Sequence, residues 1–330
     1  MIKKIVAMIV LFILFLSISQ TILLSSYLFN KNVEASLIAK EIVVNLYPYI
    51  YTYGFDSKIL YEGDYNKSDK VDIVISNHIN AFDFFIYLSI LRLYDDRPIY
   101  YLFRKNLVLI PGMGFILGSG SDIKLNRNLD DDVDNINDKI SKIKEGVIII
   151  MPEGTRYTPE KFTESQKYCK DNGLSVFNNV LYPKMKGLYL ISSILKKNNK
   201  LGKIIDFTVQ VENLKNKKAY VNVLFTKKFG RSFGIVNSYD IPNNILDDYD
   251  KYKNWFISTI WIKKDLLLDN IQNIEKHNYT ELVPHMKDYQ YFIIITCITL
   301  FIYLITHMNG YYIPISLGLS YFLMAKNYNK

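Results

Sequence analysis

From residue 5 to residue 29 the chain carries no charged side chain, a stretch of 25 residues. At about 1.5 Å per residue it reaches about 37 Å, enough to cross a hydrocarbon layer of ~30 Å. This predicts a membrane helix over residues 1–30. A cleaved secretory signal is the competing reading, although its apolar core runs only about 7 to 15 residues. A second apolar region covers residues 291–325 and is interrupted by Asn309-Gly310 and Pro314. Each half is short for an independent span, so residues 289–330 are read as a membrane hairpin, with buried core helices as the alternative.

Between these ends, residues 31–288 pattern as an α/β domain. Four short apolar runs rich in β-branched or aromatic residues predict strands: VDIVIS (71–76), PIYYLF (98–103), GVIIIM (146–151) and IIDFTVQV (204–211). NAFDFFIYLSILRL (80–93) and DDVDNINDKISKIK (131–144) read as helices, one after the first strand and one before the third. Strands this continuously apolar belong to a sheet covered on both faces, so the expected fold class is α/β, a central sheet flanked by helices.

Composition narrows the function classes. With 330 residues and 49% hydrophobic positions, disorder is excluded. The two cysteines, Cys169 and Cys297, cannot frame a disulfide-rich fold, and four histidines without His-x-x-x-His or Cys-x-x-Cys spacing predict no metal site. The net charge of +8 suggests an anionic partner, but half of it is Lys3 and Lys4 at one end and Lys326 and Lys330 at the other. Lysines flanking membrane segments meet anionic head groups. No RNA-recognition block is present, so a nucleic-acid partner is not expected.

The chemistry sits where strands end. The first strand runs into Ser76-Asn77-His78-Ile79-Asn80-Ala81-Phe82-Asp83, a His-x-x-x-x-Asp spacing. On one helix the two side chains would lie about 140° apart, so they meet only if His78 is on the turn and Asp83 in the first helical turn. Asn80 is placed to cap that helix. The pair would then be an imidazole held by a carboxylate, as in general-base catalysis. In the other reading Asp83 merely occupies a capping-box position and His78 is a turn residue. The third strand ends in Pro152-Glu153-Gly154-Thr155-Arg156. Ligands of open α/β sheets gather beyond the carboxyl ends of strands, and the Arg156 fork suits a phosphate. A surface ion pair of Arg156 with Glu153 or Glu160 is the alternative.

Together these blocks resemble the glycerolipid acyltransferases, enzymes that acylate lysophosphatidic acid and related lysophospholipids. Weaker blocks follow in order: Lys105-Asn106-Leu107, Pro111-x-x-Gly114-Phe115, Arg127, then Leu181-Tyr182-Pro183-Lys184-Met185-Lys186-Gly187, Asp206-x-Thr208, and Trp255 and Trp261 ahead of Lys264-Asp265. The series, with YTPEKFTESQKYCKDNGL after Arg156, is similar to the eukaryotic subgroup of 1-acylglycerol-3-phosphate and lysocardiolipin acyltransferases, over roughly residues 70–270. The chain departs from that subgroup at Lys184, where arginine is usual, and at Phe84, where tryptophan is usual. Lysine keeps the charge and loses the fork geometry.

The resemblance implies an integral membrane enzyme of the endoplasmic reticulum or another internal membrane, transferring an acyl group from acyl-CoA to a lysophospholipid hydroxyl. The first expected acceptor is 1-acylglycerol-3-phosphate, giving phosphatidic acid. Lysocardiolipin or another lysophospholipid is the alternative acceptor, and a non-catalytic lipid-binding membrane protein the alternative class. His78 and Asp83 are the implied catalytic residues; Glu153, Gly154, Thr155, Arg156, Lys105, Arg127, Pro183 and Lys184 are the implied substrate contacts. No bound cofactor and no metal is expected, with acyl-CoA as co-substrate. Cys169 lies in a polar helix-like stretch and Cys297 in a membrane segment, so transfer is expected to be direct rather than through a cysteine.

Overall fold

The computed structural model describes residues 32–80, 83–105, 122–125, 129–212 and 230–285, with isolated positions at 287, 288, 295, 299 and 306. In chain order the elements are α1 (Asn32–Tyr49), β1 (Lys58–Gly63), β2 (Val71–Ser76), α2 (Asp83–Tyr94), β3 (Ile99–Arg104), β4 (Ile123–Leu125) and α3 (Leu129–Lys142). They continue as β5 (Gly146–Ile150), α4 (Pro159–Asp171), α5 (Met185–Lys197), β6 (Leu201–Val211), β7 (Arg231–Tyr239), α6 (Tyr249–Phe256), α7 (Ile262–Asn270) and β8 (Thr280–Glu281). Contacts group the chain into two compact units. Of the described residues, the first comprises those within 47–97 and 140–284, the second those within 32–46, 98–139 and 285–306.

The first unit is built on a mixed sheet in the order β5-β2-β6-β7-β1-β8. β2 is central and runs parallel to both β5 and β6, with Ile75 opposite Ile150 on one side and Asp206 on the other. All six residues of β2 and all five of β5 are buried. That is the burial their unbroken apolar runs predict for strands covered on both faces. β7 returns antiparallel to β6, and β1 joins β7 in parallel, so the sheet is mixed. Helix α2 lies on it with Phe85, Ile86, Leu88, Ile90 and Leu91 buried. At the end of β2 away from the functional motifs, Arg97 holds Asp72 at 2.6 Å and Asp95 at 2.7 Å, pairing the two buried carboxylates.

In the second unit β3 pairs in parallel with β4. The fully buried Lys40 of α1 reaches Asp122 at 2.9 Å, and the same carboxylate oxygen accepts the Tyr101 amide at 2.8 Å. Burial pushes the Lys40 ammonium down and the Asp122 carboxyl up, and their mutual attraction works against both shifts.

Among the described residues no helix is long and apolar enough to cross a membrane. The segments read as membrane-embedded, residues 1–30 and most of 289–330, lie outside the described residues.

Candidate active site

Because β2 and β5 are parallel neighbours, their carboxyl ends open on the same side of the sheet, and the two strongest motifs face each other there. Asn77, the first residue past β2, is fully buried. Its side-chain amide exchanges two hydrogen bonds with Val209 of β6: Nδ2 donates to the carbonyl and Oδ1 accepts from the amide, both at 2.9 Å. The chain is thereby pinned as it leaves the strand, and His78 is presented on the turn. His78 Nδ1 lies 2.7 Å from Asp83 Oδ2; the imidazole is 25% exposed and the carboxylate 1%. A buried carboxylate at Nδ1 fixes the tautomer and leaves Nε2 as the nitrogen that can take a proton.

Asp83 makes the imidazole contact and the capping contact at once. The same Oδ2 accepts the Asn80 amide at 3.4 Å, a capping-box contact, while holding the imidazole. Asp83 stands in the first turn of α2, where the helix dipole favours a negative charge.

The opposing loop closes on the His78 peptide from two directions. Tyr157 donates its amide to the His78 carbonyl at 2.7 Å, and the His78 amide points to Glu153 Oε1 at 3.4 Å. Glu153 is only 2% exposed, and its Oε2 is buried with no hydrogen-bond partner among the described residues. Burial pushes its carboxyl up to about 8, further raised by Asp83 and opposed by the His78 and Leu181 amides and the Lys264 ammonium. Gly154 adopts φ +64°, with its amide bonded to the Met151 carbonyl at 2.9 Å. A Cβ there would press against the Lys184 side chain, 3.1 Å from its Cδ, so glycine serves both the turn and the passage of Lys184. Thr155 Oγ1 accepts from Lys161 Nζ, in the first turn of α4. Arg156 is exposed, and among the described residues no ion pair joins it to Glu153.

The segment carrying Pro183 and Lys184 is held from α7 and from the turn Ile257–Trp261 that leads into it. Asp265 accepts the amides of Asn178 and Asn179, and Trp261 Nε1 donates to the Leu181 carbonyl at 3.0 Å. The Lys184 amide then bonds the Pro152 carbonyl at 2.7 Å, joining this segment to the β5 loop. The first unit therefore gathers His78, Asp83, Glu153, Gly154, Thr155, Arg156, Pro183 and Lys184. Lys105 follows β3 in the second unit, and Arg127 lies outside the described residues. Cys169 is a free thiol on α4, 1% exposed, and burial pushes its pKa up. Among the described residues no group of three or more His, Cys, Asp and Glu side chains could hold a metal ion.

Two contributions come from residues that the sequence blocks named without a role. Asn77 was part of the His78 block with no role of its own, yet it fixes the turn. Lys264 is fully buried and 2.7 Å from the buried Asp206. A signal for the second was present, because Ile260, Trp261, Leu267 and Leu268 stand at helical spacing around Lys264 and put it on an apolar face.

Residues 58–184 match the family model described as Acyltransferase, a span that runs from β1 to Lys184 and encloses both facing turns. Over this stretch the chain is similar to the acyltransferase family. Among curated relatives, the probable 1-acyl-sn-glycerol-3-phosphate acyltransferase 5 of Arabidopsis thaliana is 24% identical over 309 residues, 86% of this chain and 77% of that protein. Lysocardiolipin acyltransferase 1 of Gallus gallus is 28% identical over 160 residues, covering 47% of this chain and 42% of that protein. The chain thus spans about three quarters of the plant protein and under half of the avian one. The crystal structure of the 1-acyl-sn-glycerophosphate (LPA) acyltransferase PlsC from Thermotoga maritima aligns with a TM-score of 0.49 and 15% identity, over 81% of this chain and 98% of that one.

Proposed function

We propose that the acyltransferase domain moves a fatty acyl group from acyl-CoA to the free hydroxyl of a lysophospholipid at a membrane, with 1-acylglycerol-3-phosphate as acceptor and phosphatidic acid as product. The observation that carries this reading is the 2.7 Å contact between His78 Nδ1 and the buried Asp83. A binding module has no use for a base whose tautomer is fixed and whose other nitrogen is left open.

In this mechanism Nε2 of His78 takes the proton from the acceptor hydroxyl as that oxygen attacks the thioester carbonyl. Asp83 offsets the charge that grows on the ring. Collapse of the tetrahedral adduct forms the ester C–O bond and breaks the C–S bond, and the departing CoA sulfur recovers the proton from the imidazolium. Arg156, exposed beside the His78 turn, and Lys184, lying over Gly154, hold the acceptor phosphate and so fix the hydroxyl near Nε2. Lys105 and Arg127 are the remaining cations of the sequence series for this task. Glu153 braces the His78 peptide. Residues 1–30 and 289–330 are assigned to the membrane, an internal one such as the endoplasmic reticulum, where the lipid substrate resides.

The experiment is an acceptor panel. Membranes containing the chain receive labelled acyl-CoA with 1-acylglycerol-3-phosphate, lysocardiolipin or lysophosphatidylinositol in turn. Turnover greatest with 1-acylglycerol-3-phosphate supports the full reading. Preference for lysocardiolipin, favoured by the avian relative's name, would replace the acceptor and keep the chemistry. No transfer to any acceptor would leave a lipid-binding protein.

A further inference from the structure

Helix α7 buries a lysine without exposing any of it. Lys264 Nζ donates to the Phe207 carbonyl at 2.7 Å and to Thr208 Oγ1 at 3.3 Å, and it lies 2.7 Å from Asp206 Oδ1. Both charged side chains are buried, at 0% and 1% exposure. Removing two charges from water is costly, and apolar residues of similar volume usually serve stability as well. Packing alone therefore does not account for this pair, and neither residue falls within the matched stretch 58–184.

Its surroundings give it a task. The three residues of β6 that meet Lys264 immediately precede Val209, whose backbone exchanges both hydrogen bonds with Asn77 next to His78. A chain of contacts thus runs from the buried ammonium through β6 and Asn77 to the turn that carries His78. The Lys264 charge also opposes the rise of the Glu153 carboxyl, the group that receives the His78 amide. The charged groups around Glu153 are Lys264 from α7, Asp83 from α2 and, through Coulombic coupling, the Tyr157 hydroxyl of its own loop.

We propose that Lys264, with Asp206 as counter-charge, is a positioning pair for the acyl-transfer site: it fixes β6 at Phe207–Thr208, directly behind the Val209–Asn77 exchange that pins the His78 turn, acting on turnover without touching substrate. The kinetic part rests on the acyl-transfer reading. The positional part does not.

The test uses the full chain carrying Asp206→Asn and Lys264→Met together, which removes both charges with little change of shape and leaves no lone buried ion. Expected are a thermal midpoint within a few degrees of wild type, a kcat lower by about tenfold or more with both Michaelis constants within about twofold, and amide exchange over residues 76–79 faster by about tenfold. A pair that merely fills space would change stability and leave kcat and exchange alone, and that result overturns the proposal. If the double variant does not fold, Asp206→Asn alone keeps the Lys264 bonds to Phe207 and Thr208. It should lower kcat by about threefold at constant Michaelis constants, and an unchanged kcat would overturn the proposal. Should wild type transfer no acyl group at all, the acyl-transfer reading falls, and exchange at residues 76–79 alone decides the positional claim.

Discussion

Glu153 shows how one residue can be seen in the sequence and understood only in the fold. Its position after a buried strand marked it as part of a site, whereas its partner, the His78 backbone amide, comes from 75 residues earlier in the chain. The raised pKa has a consequence for stability. Unfolded, the carboxyl titrates near its ordinary 4.5; folded, burial moves it to about 8. Between those values the folded state holds a proton that the unfolded state has lost, so this group's contribution to stability declines as pH rises. Glu153→Gln keeps the acceptor oxygen and removes the titration. Its stability relative to wild type should therefore improve steadily from pH 4.5 to about 8, read as thermal midpoints across that range. A constant difference would mean that the carboxyl is not held neutral. Arg156 is argued separately: Arg156→Lys retains charge but not the two-pronged fork, so the apparent Michaelis constant for the lysophospholipid should rise by about tenfold with that for acyl-CoA unmoved. Equal changes in both would remove Arg156 from the acceptor site.

Among elements, legibility followed burial. β2 spans the predicted run 71–76, β5 falls one residue short of its predicted end, and β3 is shifted by one. These strands consist almost wholly of apolar residues, which is what pattern reading detects. β6 begins three residues before its predicted start because Leu201-Gly202-Lys203 interrupts the apolar signal. β1 and β7 went unread for related reasons. β1 is half-buried along most of its length, and Gly234 and two serines break the run of β7. Helix α2 is described from Asp83 rather than from Asn80. β1 nonetheless imposes a strict demand at its end: Gly63 has φ +104°, and a Cβ there would run into the Val236 carbonyl of β7. Gly63→Ala should cost about 2–4 kcal/mol from left-handed strain and overpacking, measured by denaturant unfolding. A loss below about 0.5 kcal/mol would show that the β1–β7 edge yields easily.

For the whole molecule, the site became legible because two turns distant in sequence share one end of a sheet, and the sequence alone could order the motifs without pairing them. What ties them together, the Tyr157 amide on the His78 carbonyl and the His78 amide toward Glu153, with the Asn77–Val209 exchange behind them, depends on strand register, which motif spacing does not encode. The membrane assignment rests on the apolar stretches at the two ends. Washing membranes with alkaline carbonate should leave the full chain in the pellet, and its release into the supernatant would remove both spans from the account. Direct transfer makes a further demand, that Cys169→Ser with Cys297→Ser leave turnover within about twofold of wild type.

The central claim is that His78 is the base of an acyl transfer. It is tested most directly by the single-turnover rate of His78→Ala with saturating acyl-CoA and the preferred lysophospholipid, in protein shown by its thermal midpoint to be folded. The account predicts a rate lower by about 10² to 10⁴. A folded His78→Ala chain that transfers the acyl group at the wild-type rate would contradict it.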